Sequence, residues 1–261
     1  MSDVTPFERH FPGDPDRPAL ALHCMMGSSN AWRPMAEHLG GVIDLRAFDN
    51  PGHGRSPDWQ PVDGIDLHTF VTRHAAGMID RPLDLIGHSF GATVALRIAV
   101  GAPQAIRSLT LIEPVLFAAA PAPARQAEND RLAPFAAADD IDGMIGQFMS
   151  DWGAPGAGAI PDDPARADRL RKQMRLVLDT NAFLMEDRAN ILREGGLEGI
   201  EAPVMLISGA QSPPIIHDIA EALAARLPDV GRANVPDAGH MLPLTHAEAV
   251  ADLVRMNLDR A

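Results

Sequence analysis

The chain of 261 residues contains no tyrosine and a single cysteine, Cys24. One cysteine cannot form an internal disulfide, and its isolation favours a reducing compartment. No apolar run approaches the roughly 20 residues that a transmembrane helix needs. Residues 1–18 also lack the apolar segment of a signal peptide. We therefore expect a soluble cytoplasmic protein.

Basic residues are scarce relative to acidic ones. The chain has 22 Lys and Arg against 35 Asp and Glu, which gives a net charge of −13. Nucleic acids and anionic membranes are bound through basic patches, so we expect neither as a partner. The sequence also lacks HExxH, paired CxxC and a GxGxxG motif after a strand, so we expect no metal and no cofactor. The oligomeric state stays open.

Apolar residues make up 46% of the chain, which is enough for a sizeable core. Short apolar runs bounded by turn residues alternate with segments of helical spacing, such as residues 90–100 and 215–227. Strands that alternate with helices predict an α/β fold with a mostly parallel central sheet flanked by helices. The five predicted strands are residues 19–22, 42–48, 83–86, 108–112 and 204–208.

The alternation stops after residue 114, and no strand pattern returns before residue 199. Proline and glycine clusters separate helical pieces in this stretch. Six apolar residues share one helical face there: Ile141, Met144, Ile145, Phe148, Met149 and Trp152. We predict that residues 115–198 form an inserted helical cap on a core made of residues 1–114 and 199–261.

The segment Gly87-His88-Ser89-Phe90-Gly91 matches G-x-S-x-G. An ordinary glycine-lined turn is the simpler interpretation of five such residues. However, an apolar strand precedes the segment and an Ala-rich helix follows it, which is the context of a nucleophile elbow. The glycines permit the sharp turn, and the helix N-terminus favours negative charge that develops beside it. Ser89 is therefore the predicted nucleophile.

Four motifs in order resemble those of the α/β-hydrolase superfamily. They are ALALHCMMGSSNAW at 19–32, DNPGHGRS at 49–56, the Ser89 elbow, and VPDAGHMLPLTH at 235–246. The resemblance covers nearly the whole chain and is nearest to small capped bacterial serine hydrolases, among them esterases and enol-lactonases. It implies an α/β-hydrolase fold with a helical cap and the chain order Ser…acid…His.

The resemblance also implies roles for individual residues. His240 would take the proton of Ser89 and return it to the leaving group. The backbone N–H groups of Met25 and Phe90 would bind the oxyanion. Cys24 stands where the family usually has glycine, so the loop backbone is expected to differ slightly, while a reactive Cys24 is disfavoured because no charged partner is evident. The remaining histidines of these motifs are expected to be structural: His23, His53, His88 and His246.

The triad acid is not at its usual place. The family generally carries it in a Gly-x-x-Asp turn after the strand at 204–208, where this chain reads Gly209-Ala210-Gln211-Ser212. Some members place the acid one strand earlier, after the sixth strand in the family's count. There the apolar run SLTLI ends in Glu113. We predict Glu113 as the acid, with Asp237 as a second candidate and a merely solvated Glu113 as the simpler alternative.

These features predict a serine hydrolase that cleaves a small or medium carboxylic ester or lactone through an acyl-serine intermediate. Haloalkane dehalogenases and epoxide hydrolases of this fold carry aspartate where Ser89 stands, and the epoxide enzymes use tyrosines that this chain lacks. Thioesters and carbon–carbon bonds beta to a carbonyl stay open. The alternatives are a cofactor-free perhydrolase or haloperoxidase-like enzyme and a non-hydrolytic ligand-binding member. The predicted pocket residues are Met26, Phe148 and Trp152.

Overall fold

A computed structural model describes residues 5–61, 64–158 and 160–261. In these ranges seven strands form one sheet in the order β1-β3-β2-β4-β5-β6-β7. Strand β1 runs antiparallel to β3, and all other neighbours are parallel. The predicted mostly parallel α/β class is confirmed. The strands are β1 (Glu8–Phe11), β2 (Pro18–Leu22), β3 (Asp44–Phe48), β4 (Leu83–His88), β5 (Ile106–Ile112), β6 (Val204–Gly209) and β7 (Val230–Val235).

Helices cover both faces of the sheet. Helices α1 and α9 contribute to the core on one face, and α2, α3 and α7 to the core on the other. Within the described ranges, no helix combines the length and apolar character needed to cross a bilayer. The helices are α1 (Arg33–Leu39), α2 (Leu67–Gly77), α3 (Phe90–Gly101), α4 (Ala122–Ala137), α5 (Ile141–Trp152), α6 (Pro164–Met185), α7 (Pro214–Ala224), α8 (Leu242–Thr245) and α9 (Ala247–Leu258).

The strand side chains alternate between these two cores. In β2, Leu20 and Leu22 join the core under α3, while Ala19 and Ala21 join the core under α1 and α9. A strand that is buried on both faces reads as a continuous apolar run, which is why the central strands are predictable. The edge strands β1 and β7 are only partly buried and mix polar with apolar residues, so the sequence pattern does not predict them.

Parallel strands bring distant residues to one edge of the sheet. The loops that leave β2, β4, β5 and β7 carry Met25, Ser89, Glu113 and His240 respectively. Ligand sites of open α/β sheets form at the carboxyl ends of the strands. All four predicted site residues therefore lie at the edge where such a site is expected.

The segment between β5 and β6 contains α4, α5 and α6, with no strand among its described residues. Helices α5 and α6 share a small apolar core built on Met144, Ile145 and Met174. Helix α4 has no buried residue, and its sequence is rich in alanine and proline. The sequence of α4 has no apolar face, so helical periodicity does not predict this helix. The limits of the cap at residues 115–198 stay a prediction.

A buried carboxylate lies at the amino ends of the parallel strands, opposite the candidate site. Asp84 near the start of β4 is 0% exposed. It accepts hydrogen bonds from Arg17 Nε at 3.0 Å and Ser108 Oγ at 2.7 Å, while Arg107 lies 3.8 Å away. Arg17 also donates to the carbonyl of Leu258 at the end of α9. The cluster therefore links the two ends of the chain through one carboxylate.

We predict that Asp84→Ala lowers the free energy of unfolding by about 3–5 kcal/mol, because it leaves the partly buried Arg17 guanidinium and the buried Ser108 hydroxyl without their acceptor. The exposed Asp16→Ala, which removes a carboxylate from the same region, should change it by about 0.5 kcal/mol or less. Urea unfolding followed by circular dichroism measures both. Equal stability of the two variants would contradict a structural role for Asp84.

Candidate active site

Ser89 occupies a sharp turn between β4 and α3. Its backbone has φ 56° and ψ −117°, a conformation that L-residues rarely adopt. The two flanking glycines permit close packing at the turn. A Cβ on Gly87 would lie 2.5 Å from Ala92 Cα, and one on Gly91 would lie 2.1 Å from the Leu22 carbonyl oxygen. The elbow is therefore held by backbone packing on both sides of the serine.

The side chains of Ser89, His240 and Glu113 form one hydrogen-bonded chain. His240 Nδ1 lies 2.8 Å from Glu113 Oε2, and His240 Nε2 lies 2.9 Å from Ser89 Oγ. A carboxylate can only accept, so Nδ1–H is the donor and Nε2 is left to accept from the serine hydroxyl. All three side chains are buried. The structure thus brings together the three residues that the sequence pointed to.

Glu113 directly follows β5, and its carboxylate is fixed from two sides. Its backbone has φ 53°, which turns the chain abruptly out of the strand. Oε1 accepts from the Gly209 N–H at 2.6 Å and from Ser212 Oγ at 2.8 Å, leaving Oε2 for His240. The exposed fraction of Glu113 is 0%, so it is not a solvated strand end.

Asp237, the second acid candidate, is exposed on the loop before His240. Its backbone has φ 57°, which suits a turn residue. His240 Nδ1 already donates to Glu113, so that nitrogen has no proton left for Asp237. Asp237 is therefore an exposed turn residue of the loop that carries His240.

The two backbone N–H groups predicted for the oxyanion belong to residues that line one cavity with Ser89 and His240. Phe90 is the first residue of α3, where an N–H has no partner within the helix. Among the described residues, the N–H groups of Met25 and Phe90 donate to no protein acceptor. Both are therefore available to a developing oxyanion.

The loop that carries Met25 is fixed by His23 rather than by a glycine. His23 Nδ1–H donates to the Cys24 carbonyl at 2.7 Å, and Nε2 accepts from the Asn50 N–H at 2.9 Å. Burial lowers the pKa of His23, in keeping with this neutral tautomer. Burial also raises the pKa of Cys24 to about 12, so its thiol is not ionised at neutral pH.

Ser89 and His240 line two of the cavities that the described residues form. The inner cavity lies beneath α4 and α6, with Phe148 and Trp152 among its walls, and has a volume of about 70 Å³. The outer cavity shares these two residues and adds Met26. Trp152 also contacts His240 edge to face, with ring centroids 4.7 Å apart. All three predicted pocket residues thus lie around the site.

Two further buried histidines support the site from behind. His88 Nε2–H donates to the backbone carbonyl of His240 at 2.9 Å. His68 Nε2–H donates to Thr93 Oγ1 at 3.0 Å, and the Thr93 hydroxyl donates to the Phe90 carbonyl at 2.7 Å. These contacts hold the catalytic-histidine candidate and the residue after Ser89 in place.

A family model for the alpha/beta hydrolase family matches residues 19–253. The chain belongs to the alpha/beta hydrolase family. The match spans most of β2, all of β3 to β7, the Ser89 elbow and the His240 loop. The predicted fold and the prediction of a hydrolase of this family are confirmed.

Relatives of this alpha/beta hydrolase include enzymes named for esters. The chain is 27% identical to the pimeloyl-[acyl-carrier protein] methyl ester esterase of Neisseria meningitidis serogroup B, over 95% of both chains. It is 31% identical over 89% of its length to polyketide synthase ThaQ of Burkholderia thailandensis, of whose length it spans 11%. That relative is thus a much longer protein.

Solved structures share the fold at low sequence identity. A candidate lipase of Acinetobacter baumannii superposes with a TM-score of 0.75 at 22% identity, covering 99% of this chain and 89% of that one. The enol-lactonase of Burkholderia xenovorans superposes with a TM-score of 0.68 at 17% identity, covering 99% of both. These likenesses show the fold alone.

Two features of the site lie beyond the sequence prediction. Ser212 occupies the position where the family usually carries its acid. This position places Ser212 near the histidine but does not reveal the partner of its hydroxyl. Its hydroxyl holds Glu113. Glu128 on α4 lines the inner cavity, and no signal in the sequence points to it, since α4 has no apolar periodicity.

Because of its buried histidines, the folded protein should become less stable in acid. Burial lowers the pKa of His53 and of His68 to about 3. Both values lie below the ~6.5 of an unfolded chain, so protons bind the unfolded state more tightly. The stability that rests on the neutral histidines is present above pH ~6.5 and is lost as the pH falls from there toward 3.

We expect the free energy of unfolding to fall by roughly 1.4 kcal/mol per pH unit for each of these histidines below pH ~6.5. Urea unfolding at pH 7, 6 and 5 measures this slope. His68→Gln cannot take up the proton, so the slope of the unfolding free energy against pH should be smaller by about 1.4 kcal/mol per pH unit. A profile of wild type that is level between pH 7 and 5 would contradict the account.

Proposed function

We propose that the protein is a serine hydrolase that cleaves a small or medium carboxylic ester or lactone through an acyl-Ser89 intermediate. The proposal depends on two buried hydrogen bonds of His240. Its Nε2 lies 2.9 Å from Ser89 Oγ, and its Nδ1 lies 2.8 Å from Glu113 Oε2. Ester hydrolysis is further supported by the Neisseria relative, which is named for a methyl ester.

In the first half-reaction Ser89 Oγ attacks the carbonyl carbon and its proton passes to His240 Nε2. The Glu113 carboxylate stabilises the imidazolium and holds Nδ1 protonated. The N–H groups of Met25 and Phe90 donate to the oxyanion. His240 then protonates the departing alcohol oxygen, which leaves an acyl group on Ser89.

In the second half-reaction a water molecule takes the place of the alcohol. His240 accepts its proton while its oxygen attacks the acyl carbon, and the serine recovers its proton as the carboxylic acid forms. No group beyond these residues and water is needed to balance the reaction.

We propose that residues 115–198 act as a cap that shapes the substrate pocket. Helices α4, α5 and α6 of this segment supply much of the inner-cavity wall. The wall is mostly apolar, with Phe148, Trp152 and Leu184 among its members, which suits the hydrocarbon part of an ester. A non-hydrolytic role is disfavoured because the acid missing from the turn after β6 has a replacement in Glu113.

The experiment that tests the function is turnover of p-nitrophenyl esters of two to ten acyl carbons. We expect saturable hydrolysis of one or more members, with Ser89→Ala reducing kcat by about 10⁴ or more. Circular dichroism checks that the variant is folded. An inert wild type, or full activity in folded Ser89→Ala, would contradict the proposal.

A second comparison tests the unusual acid. Glu113→Gln keeps the size of the side chain but removes its charge, and we expect kcat to fall on the order of 10⁴-fold. Ser212→Ala removes one of two hydrogen bonds to Glu113 Oε1 while the Gly209 N–H remains, so it should cost about tenfold or less. Near-normal kcat in folded Glu113→Gln would assign the acid elsewhere.

A further inference from the structure

The inner cavity is an apolar space with one acidic side chain in its wall. Most of the lining is aliphatic or aromatic, and its polar members outside the Ser89–His240 pair are Thr180 and Asn181 on α6 and Glu128 on α4. Thr180 Oγ1 donates to the carbonyl of Leu176 within α6. Glu128 is the ionisable residue that the proposed mechanism leaves without a role.

Glu128 has a basic residue nearby but no direct ion-pair partner among the described residues. The nearby Arg131 is instead committed to Asp151, with Nε donating to Oδ2 at 2.8 Å and a second contact through its other nitrogen. Burial raises the pKa of Glu128, while Arg131 and the indole N–H of Trp152 lower it in part. A carboxylate left partly buried without a cation is costly, and a positively charged ligand group would offset this cost.

Trp152 lines the same cavity as Glu128 and packs against His240. Its ring meets the His240 ring edge to face, with centroids 4.7 Å apart. Ser89 and His240 line this cavity as well. A substrate whose ester carbonyl sits at Ser89 can therefore place an arm in the cavity that Glu128 lines.

We propose that Glu128 is a specificity residue that binds an ammonium group, carried on the substrate arm lying in the inner cavity. This inference rests on the ester hydrolase function proposed above and names its substrate class as amino-bearing esters. The apolar walls contact the methylene chain, and the carboxylate accepts hydrogen bonds from the chain's end. An arm that ends in a methyl leaves Glu128 unpaired, and one that ends in a carboxylate is repelled.

The test compares esters that differ only at the chain end. One series has acyl arms of four to eight carbons ending in ammonium, methyl or carboxylate on a p-nitrophenyl leaving group. The other carries the same ends on the alcohol arm of hexanoate esters. Spontaneous hydrolysis is subtracted with Ser89→Ala. At about pH 8 we expect, in at least one series, kcat/KM to fall in the order ammonium, methyl, carboxylate.

Glu128→Gln should lower the ammonium-to-methyl ratio of kcat/KM by about tenfold and leave the methyl ester nearly unchanged. Asp130→Asn is the matched control, because it removes one negative charge from the same helix at an exposed position. It should keep the wild-type ratio. An unchanged ratio in Glu128→Gln in both series, or an equal drop in Asp130→Asn, would overturn the proposal.

A binding measurement separates this inference from the function on which it rests. In the Ser89→Ala background, calorimetry compares ω-amino acids with fatty acids of equal length, and amino alcohols with plain alcohols. We expect the amino compounds to bind about tenfold more tightly, and Glu128→Gln to abolish the difference. If the amino compounds bind more tightly but no ester is hydrolysed, only the proposed hydrolase function is refuted. If esters are hydrolysed but the amino compounds bind no more tightly, only the proposed role of Glu128 is refuted.

Discussion

The arrangement of the site depends on one imidazole that makes two hydrogen bonds at once. His240 can accept from Ser89 only while its other nitrogen donates to a carboxylate, so the ends of β4, β5 and β7 must meet to within hydrogen-bond distance. The parallel sheet meets this requirement because its strands end at a common edge. The left-handed backbone at Ser89 and Glu113 is the local strain that this convergence entails.

The position of the acid illustrates how such a site tolerates rearrangement. The strand β6 that usually carries it lies beside β5 in the sheet, so moving the carboxylate to the end of β5 displaces it by one strand. The longer glutamate side chain spans that displacement. The turn after β6 keeps a function, since its Gly209 N–H and Ser212 hydroxyl now orient the carboxylate rather than the histidine. Glu113 after β5 thus contacts His240 Nδ1 directly, whereas the residues at the end of β6 act on this nitrogen only by orienting Glu113.

The central strands and the Ser89 elbow could be predicted because buried segments have a recognisable sequence pattern. The central strands are apolar runs, and the elbow needs glycine on both sides of Ser89 to avoid backbone clashes. Edge strands β1 and β7 and helix α4 are less buried, so composition does not mark them. The contacts of Ser212 and Glu128 depend on the positions of side chains from separate elements, and such positions have no local signature.

The central claim is that Ser89 becomes acylated, and covalent trapping at this residue tests it most directly. A p-nitrophenyl alkylphosphonate mimics the tetrahedral intermediate and leaves a stable adduct on an activated serine. The account predicts one adduct per chain, located by mass spectrometry in the tryptic peptide that contains Ser89, and a much slower reaction in His240→Ala. A label on Cys24 or another residue, or equal labelling of a folded His240→Ala variant, would contradict it.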